Sequence, residues 1–335
     1  MATQFYDVVI VGAGPAGLSC AKTLAGSHLS VLVIDRKDQP GIKACGGGIT
    51  HLAAGFDLPH DKIRTFEKQT VFLNRLRFTF KLAHPLKTIS RDHLAQFQLN
   101  ELKNAQNIRL LFPVKVLKIN QNYLETDRGN FGFTWLVGAD GATSKVRKFL
   151  DLPSAFRAGF FTEVKLPKPT FFWYVNPRRM GSAYIWVFPH LDHSNVGIYC
   201  NPATLSAAFA NEMLRRFLRK TGCDEKNAVI RGGVVNGLYF GCAFGNVYLA
   251  GDAAGLAILS SGEGISAALV SGREVALKIL DPQYQMPQLQ QLVRVKRRQE
   301  KLHRIYERYP YFQYLFYVIF LLANKSRRFQ VWFGN

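Results

Sequence analysis

Cys45 lies in the run Lys43-Ala44-Cys45-Gly46-Gly47-Gly48-Ile49-Thr50. The glycines favour close approach of backbone to a ligand, whereas a lone thiol otherwise reads as a small buried hydrophobe. A second cluster, Tyr184-Ile185-Trp186-Val187-Phe188-Pro189, alternates aromatic and aliphatic residues. On a strand Tyr184, Trp186 and Phe188 share one face. That face is either an ordinary half-buried strand or an aromatic wall suited to an apolar, flat or polyene substrate. Three glycine-bearing turns recur along the chain: Gly12-Ala13-Gly14-Pro15-Ala16-Gly17, Gly138-Ala139-Asp140-Gly141-Ala142 and Gly251-Asp252-Ala253-Ala254-Gly255. Each follows an apolar run that reads as a buried strand.

The first turn has the grammar of a dinucleotide site. Tyr6 to Val11 predicts a strand, and Pro15 to Ala25 a helix. Gly12 permits the tight turn, Gly14 lets backbone approach a pyrophosphate, and Gly17 lets the helix pack close to the strand. The helix N-terminus, with Pro15 and Ala16, offers unpaired N–H groups to phosphate. A second strand, Leu29 to Ile34, ends at Asp35, where an acid accepts ribose hydroxyls and disfavours a 2′-phosphate. FAD or NAD fits these residues. Three such turns in this order favour FAD, because one dinucleotide lying across one sheet needs contacts from distant segments.

The second and third turns resemble the later fingerprints of the p-hydroxybenzoate hydroxylase-like flavoproteins. The Lys43-to-Thr50 run resembles the Lys-x-Cys-Gly-Gly-Gly segment of the geranylgeranyl reductases within that fold. Tyr184 to Pro189, with Gly197 beyond, resembles their Tyr-x-Trp-x-Phe-Pro…Gly-x-Gly signature. The resemblance covers roughly residues 5 to 280. It implies that Gly251 and Asp252 meet the ribityl and phosphate region. A helix from near Gly264 and Ile265 to about Ile279 would point its positive end at the flavin. It further implies Arg36, Arg91, Val116 and Asp140 as cofactor contacts, and Cys45, Gly46 and Gly47 beside the isoalloxazine. Cys45 is the catalytic candidate, and Tyr184, Trp186, Phe188 and Pro189 the substrate contacts. Two positions depart from the signature: Tyr199 replaces a glycine and Leu259 a proline.

The fold class expected is α/β: a doubly wound, FAD-binding Rossmann-like sheet with an antiparallel substrate sheet and a helical tail. The cofactor domain is placed at 1–60, 86–153 and 244–284, the substrate domain at 61–85 and 154–243, and the tail at 285–335. Alternating stretches at Val71 to Phe80, Thr170 to Val175, Ala183 to Phe188 and Asn195 to Tyr199 predict strands of the second sheet, and Ala203 to Lys220 an amphipathic helix on it.

With 335 residues and 48% hydrophobic content the chain is globular. Its five cysteines show no metal or disulfide spacing and suit a reducing cytoplasm, and no metal is expected from the histidines, His190 and His193 included. The first strand starts so early that no signal peptide is expected. The net charge of +20 calls for an anionic partner surface. Basic residues crowd the tail on both sides of Tyr309 to Ala323, an aromatic, apolar run too short to span a bilayer. This predicts insertion at the inner face of a membrane through Tyr314, Phe316, Tyr317 and Phe320. Nucleic acid fits less well, since the aromatics are massed rather than interleaved with the basic residues. The function expected is FAD-dependent reduction of carbon–carbon double bonds in an isoprenoid or related lipid, with NAD(P)H or ferredoxin as electron donor. A monooxygenase of an aromatic or quinone-like substrate, and a membrane flavoprotein that binds lipid without turnover, are the alternatives.

Overall fold

The computed structural model describes residues 3–41, 43–166, 170–224 and 227–334. Two eight-stranded sheets carry the fold. The centre of the first is the strand Gln4–Val11, parallel to Val31–Ile34 on one side and Gly129–Gly138 on the other, with Ile10 level with Val33 and Val137. Ile108–Leu111 and Val247–Leu249 extend it in parallel at either end. Where they are buried on both faces, at Val8 to Val11 and Val31 to Ile34, these strands are continuous Val/Ile/Leu runs. The helices Pro15–Leu24 and Ile265–Leu280 pack together over this sheet, where Gly272 permits contact: a Cβ there would meet the Ala16 carbonyl oxygen at 2.1 Å.

The second sheet runs in the order Arg231–Asn236, Phe156–Val164, Ser194–Cys200, Tyr184–Pro189, Phe172–Val175, Arg64–Leu73, Leu76–Thr88, Gly48–Ile49. It is antiparallel except where Phe172–Val175 lies parallel to Arg64–Leu73. Alternation sorts its side chains. Ile185, Val187, Val196 and Ile198 meet the helix Ala207–Lys220 on one face, while Tyr184, Trp186 and Tyr199 occupy the other. The stretch Val71 to Phe80 is not one strand. Leu73 pairs with Leu76 across a two-residue turn, and Asn74 takes the left-handed conformation (φ 55°) that such turns require. No glycine marks this turn; the break in alternation at Asn74-Arg75 is its sequence signal.

The tail forms the helices Pro287–Arg308, Gln313–Ala323 and Arg327–Phe333, and it folds back onto the second sheet. Leu321 is buried, and Tyr314, Tyr317 and Phe320 pack into the aromatic face of that sheet. These side chains are therefore not exposed for a membrane. The aromatic run is two-sided, and the sheet supplies a larger apolar partner for one side. Buried Gln330 fixes the last helix to the sheet, accepting from the Ala83 N–H at 2.5 Å and donating to the Lys81 carbonyl at 2.8 Å.

Candidate active site

The dinucleotide-type turn is shaped by contacts that explain its glycines separately. Gly12 has φ +108°, and a Cβ there would lie 2.4 Å from the Ala139 carbonyl oxygen of the second turn. At Gly17 a Cβ would lie 1.9 Å from the Gly12 oxygen, so this residue serves helix packing and does not line the cavity. Gly14 differs: a Cβ there would meet no atom within 4 Å. Nothing in the protein requires glycine at this position, whereas a phosphate drawn against the backbone does. Asp35 joins the strand end to the turn, its Oδ2 accepting from the Ala13 N–H at 2.8 Å and its Oδ1 from Lys37 N–H at 2.9 Å. A carboxylate has lone pairs left for ribose hydroxyls.

A cavity of about 620 Å³ opens from this turn and is lined by both sheets and the tail. Gly12, Gly14, Pro15, Ala16, Asp35, Arg36, Cys45, Gly46, Gly47, Arg91, Val116, Asp140, Gly251, Asp252, Gly264, Ile265, Tyr184, Trp186 and Phe188 all border it. Pro189 does not. One residue beyond Phe188 it faces the other way, and its carbonyl accepts from the buried Thr88 hydroxyl at 2.6 Å. Asp140 is a turn residue here: Oδ2 accepts from the Lys145 N–H at 2.7 Å, while Oδ1 is buried with no protein partner. Arg91 opens the helix Arg91–Asn100, and its Nε donates to the Gly41 carbonyl at 3.3 Å.

The glycine-rich loop is clipped to the aromatic wall. Trp186 Nε1 donates to Asn195 Oδ1 at 2.8 Å, and Asn195 Nδ2 donates to the Cys45 carbonyl at 3.1 Å. His190 is buried at the same loop, its Nε2 3.1 Å from the Gly46 oxygen, and burial lowers its pKa to about 4, so its ring is neutral near pH 7. A Cβ on Gly46 would lie 3.0 Å from the Phe188 ring. This glycine therefore answers first to the wall. Phe171 stacks on Phe188 with ring centroids 4.6 Å apart, and Trp173 continues the aromatic lining.

Several contacts here had no clear signal in the sequence. Lys43 Nζ sits 2.6 Å from Asp252 Oδ2, joining the cysteine loop to the third turn. Thr50 donates to Glu263 Oε1, and burial raises the Glu263 carboxyl above the usual carboxylate range against the pull of Thr50 and Ser266. Buried Arg147 ties the third turn in place through the Ala253 and Leu238 carbonyls. The two departures from the signature meet each other: the Tyr199 hydroxyl donates to the Leu259 carbonyl at 3.0 Å. The Tyr184 hydroxyl likewise donates to the Ser261 carbonyl. From the opposite side buried Lys296 donates to the Ala257 carbonyl at 2.7 Å and pairs with Glu300. The segment 257–261, just before the Ile265–Leu280 helix, is thus held between the second sheet and the tail. Among the described residues no group of His, Cys, Asp and Glu could hold a metal ion.

Residues 7–160 match the family model described as FAD dependent oxidoreductase. The chloroplastic geranylgeranyl diphosphate reductase of Arabidopsis thaliana is 28% identical over 318 residues, 82% of this chain and 65% of the plant protein. The chain therefore spans about two-thirds of that relative's length. A geranylgeranyl bacteriochlorophyll reductase-like protein of Thermoplasma acidophilum shares the fold, with TM-score 0.74 and 18% identity over 98% of this chain and 90% of that one. So does PqsL of Pseudomonas aeruginosa, a probable FAD-dependent monooxygenase, with TM-score 0.64 and 16% identity over 98% and 99%. Fold and site together define an FAD-dependent oxidoreductase. Within that class the chain is similar to the geranylgeranyl reductases, as its cysteine loop and aromatic strand implied.

Proposed function

We propose that the protein reduces carbon–carbon double bonds of an isoprenoid or related lipid while associated with an anionic membrane surface on its cytoplasmic side. The observation that carries this reading is the continuity of the cavity: it runs from Gly14 past Cys45 to an arm walled by Trp173, Trp186, Phe316 and Phe320. Such a wall holds a long apolar chain by burial and offers it few polar partners. FAD held there and reduced by NAD(P)H or ferredoxin would supply hydride chemistry for one alkene carbon. The residues Gly12, Gly14, Asp35, Arg36 and Arg91 would hold the dinucleotide, and the unpaired N–H groups of the Ile265–Leu280 helix would favour a negative flavin ring.

The other alkene carbon needs a proton. The Glu263 carboxyl borders the cavity, and burial favours its protonated form. It is suited to supply that proton, recovering it afterwards from solvent. Cys45 bounds the reacting region, and its loop's clip to Asn195 and His190 fixes the distance between wall and cofactor site. The test is the product mass from a polyprenyl substrate with purified holoenzyme. Addition of two hydrogens supports the reading. Addition of one oxygen supports a monooxygenase, and no change supports a lipid carrier.

A further inference from the structure

The helix Gln313–Ala323 has two apolar sides. Phe316, Tyr317, Phe320 and Leu321 line the cavity. Phe312, just ahead of the helix, and Leu315, Ile319 and Leu322 are 64%, 55%, 59% and 50% exposed. Their spacing of three, four and three places them on one helical face. Isolated exposed leucines need no explanation, but a contiguous apolar stripe marks an interaction surface. Trp332 of the last helix is also exposed, and Tyr309 and Tyr311 lie at the stripe's start.

Charge says what this stripe meets. Lys301, Arg304 and Arg308 are exposed before it, and Lys325, Arg327 and Arg328 after it. The two acids from residue 288 onward are both turned inward. Glu300 pairs with Lys296, and Glu307 accepts from Ser182 at 2.9 Å and Arg157 at 3.2 Å, with His303 at 3.3 Å. The outer side of the tail is thereby cationic around an apolar centre with aromatic margins, the pattern of an interfacial helix against anionic lipid. No described helix is long and apolar enough to cross a membrane.

We propose that Gln313–Ala323 is the membrane-seated wall of the substrate cavity. Its outer stripe rests in an anionic lipid surface, its inner side closes the apolar arm, and the substrate passes between the two around a single helix. The docking face stands on geometry and charge alone. The passage of substrate rests on the reading of the cavity as a lipid site.

The test uses full-length holoenzyme and vesicles of phosphatidylglycerol mixed with phosphatidylcholine. The unaltered protein is expected to float with these vesicles and to shift its tryptophan emission to shorter wavelength through Trp332, a shift that Trp332→Phe removes. A Leu315→Glu, Ile319→Glu variant is expected to keep its FAD and melting temperature and to lose both effects. Arg304→Glu with Arg308→Glu should retain the fold and weaken flotation. The double glutamate variant should still reduce a detergent-dispersed polyprenyl substrate and fail on the same substrate held in vesicles. Flotation unchanged in the Leu315→Glu, Ile319→Glu variant overturns the proposal. So does a dimer of the unaltered protein that this variant dissolves while neither form floats, since the stripe is then the seat of a second copy. Flotation without any alkene reduction overturns the functional reading and leaves the docking face standing.

Discussion

Two glycines of one turn separate what a residue does for the fold from what it does for a ligand. Gly17 is required by the Gly12 oxygen, whereas Gly14 faces open space. Gly14→Val is therefore expected to fold with an unchanged apoprotein melting temperature and to lose FAD, measured by absorbance at constant protein. Cys45→Ala is expected to retain FAD and lose most turnover; unchanged turnover would make Cys45 a packing residue. Glu263→Gln should keep bound FAD and lower kcat. The raised pKa sets the sign for the unaltered enzyme: a proton donor is active while protonated, so kcat falls as pH rises through the raised value. A profile that rises in that direction removes Glu263 from the reaction. The glycine turns and Asp35 were legible because each stands at the end of an apolar, strand-like run. The pairings of Glu263, Lys43 and Arg147 were not, because their partners lie far away in sequence: Thr50 for Glu263, Asp252 for Lys43 and Ala253 for Arg147.

Among elements, parallel strands and the helices after them were read closely, since a buried strand and a glycine-started helix announce themselves in local pattern. The hairpin at Asn74 and the orientation of the tail were not. An apolar run shows that a helix has buried area to offer, but Tyr317 and Ile319 look alike until the second sheet takes one side of the helix. Polar contacts add to the apolar packing that holds the tail. Glu307 joins Pro287–Arg308 to the second sheet and its flanking turn through Arg157 and Ser182, and His303 one turn back on the same helix pairs with it. The hydrogen bond from His303 leads the interactions that hold its pKa down to about 2, against an ordinary 4.5. A depressed carboxylate adds stability that is present above 4.5 and is lost as pH falls toward 2. Acid titration should therefore loosen the tail within that window, seen as protease cleavage near Tyr309. Glu307→Gln should flatten this acid response and lower the melting temperature at neutral pH.

For the whole molecule, the tail is a wall of the cavity rather than an appendage to it. Lys296 is 2% exposed, and removing it leaves Glu300 without its counter-charge and the Ala257 carbonyl without its donor. Lys296→Ala is expected to cost about 3 kcal/mol of stability, measured by chemical denaturation, and to speed FAD release. Ending the chain before Gln288 should do more than abolish vesicle binding: it strips one wall from the cavity and frees the segment 257–261, so FAD retention should fall as well. A truncated protein that holds FAD as firmly as the full chain would contradict this coupling.

The clasp of Lys296 on the Ala257 carbonyl also sets an order in time. A chain emerging from the ribosome completes the first glycine turn early, together with the strand and helix on either side of it. The segment 257–261 acquires its last anchors only when Lys296, Gln299, which accepts from the Ser260 hydroxyl, and Glu300, which accepts from the Leu259 N–H, have left the exit tunnel, and the cavity wall closes later still. Capture of the coenzyme in its final grip is thus a late event of biosynthesis, and a nascent chain stalled short of its end would carry a half-made cradle.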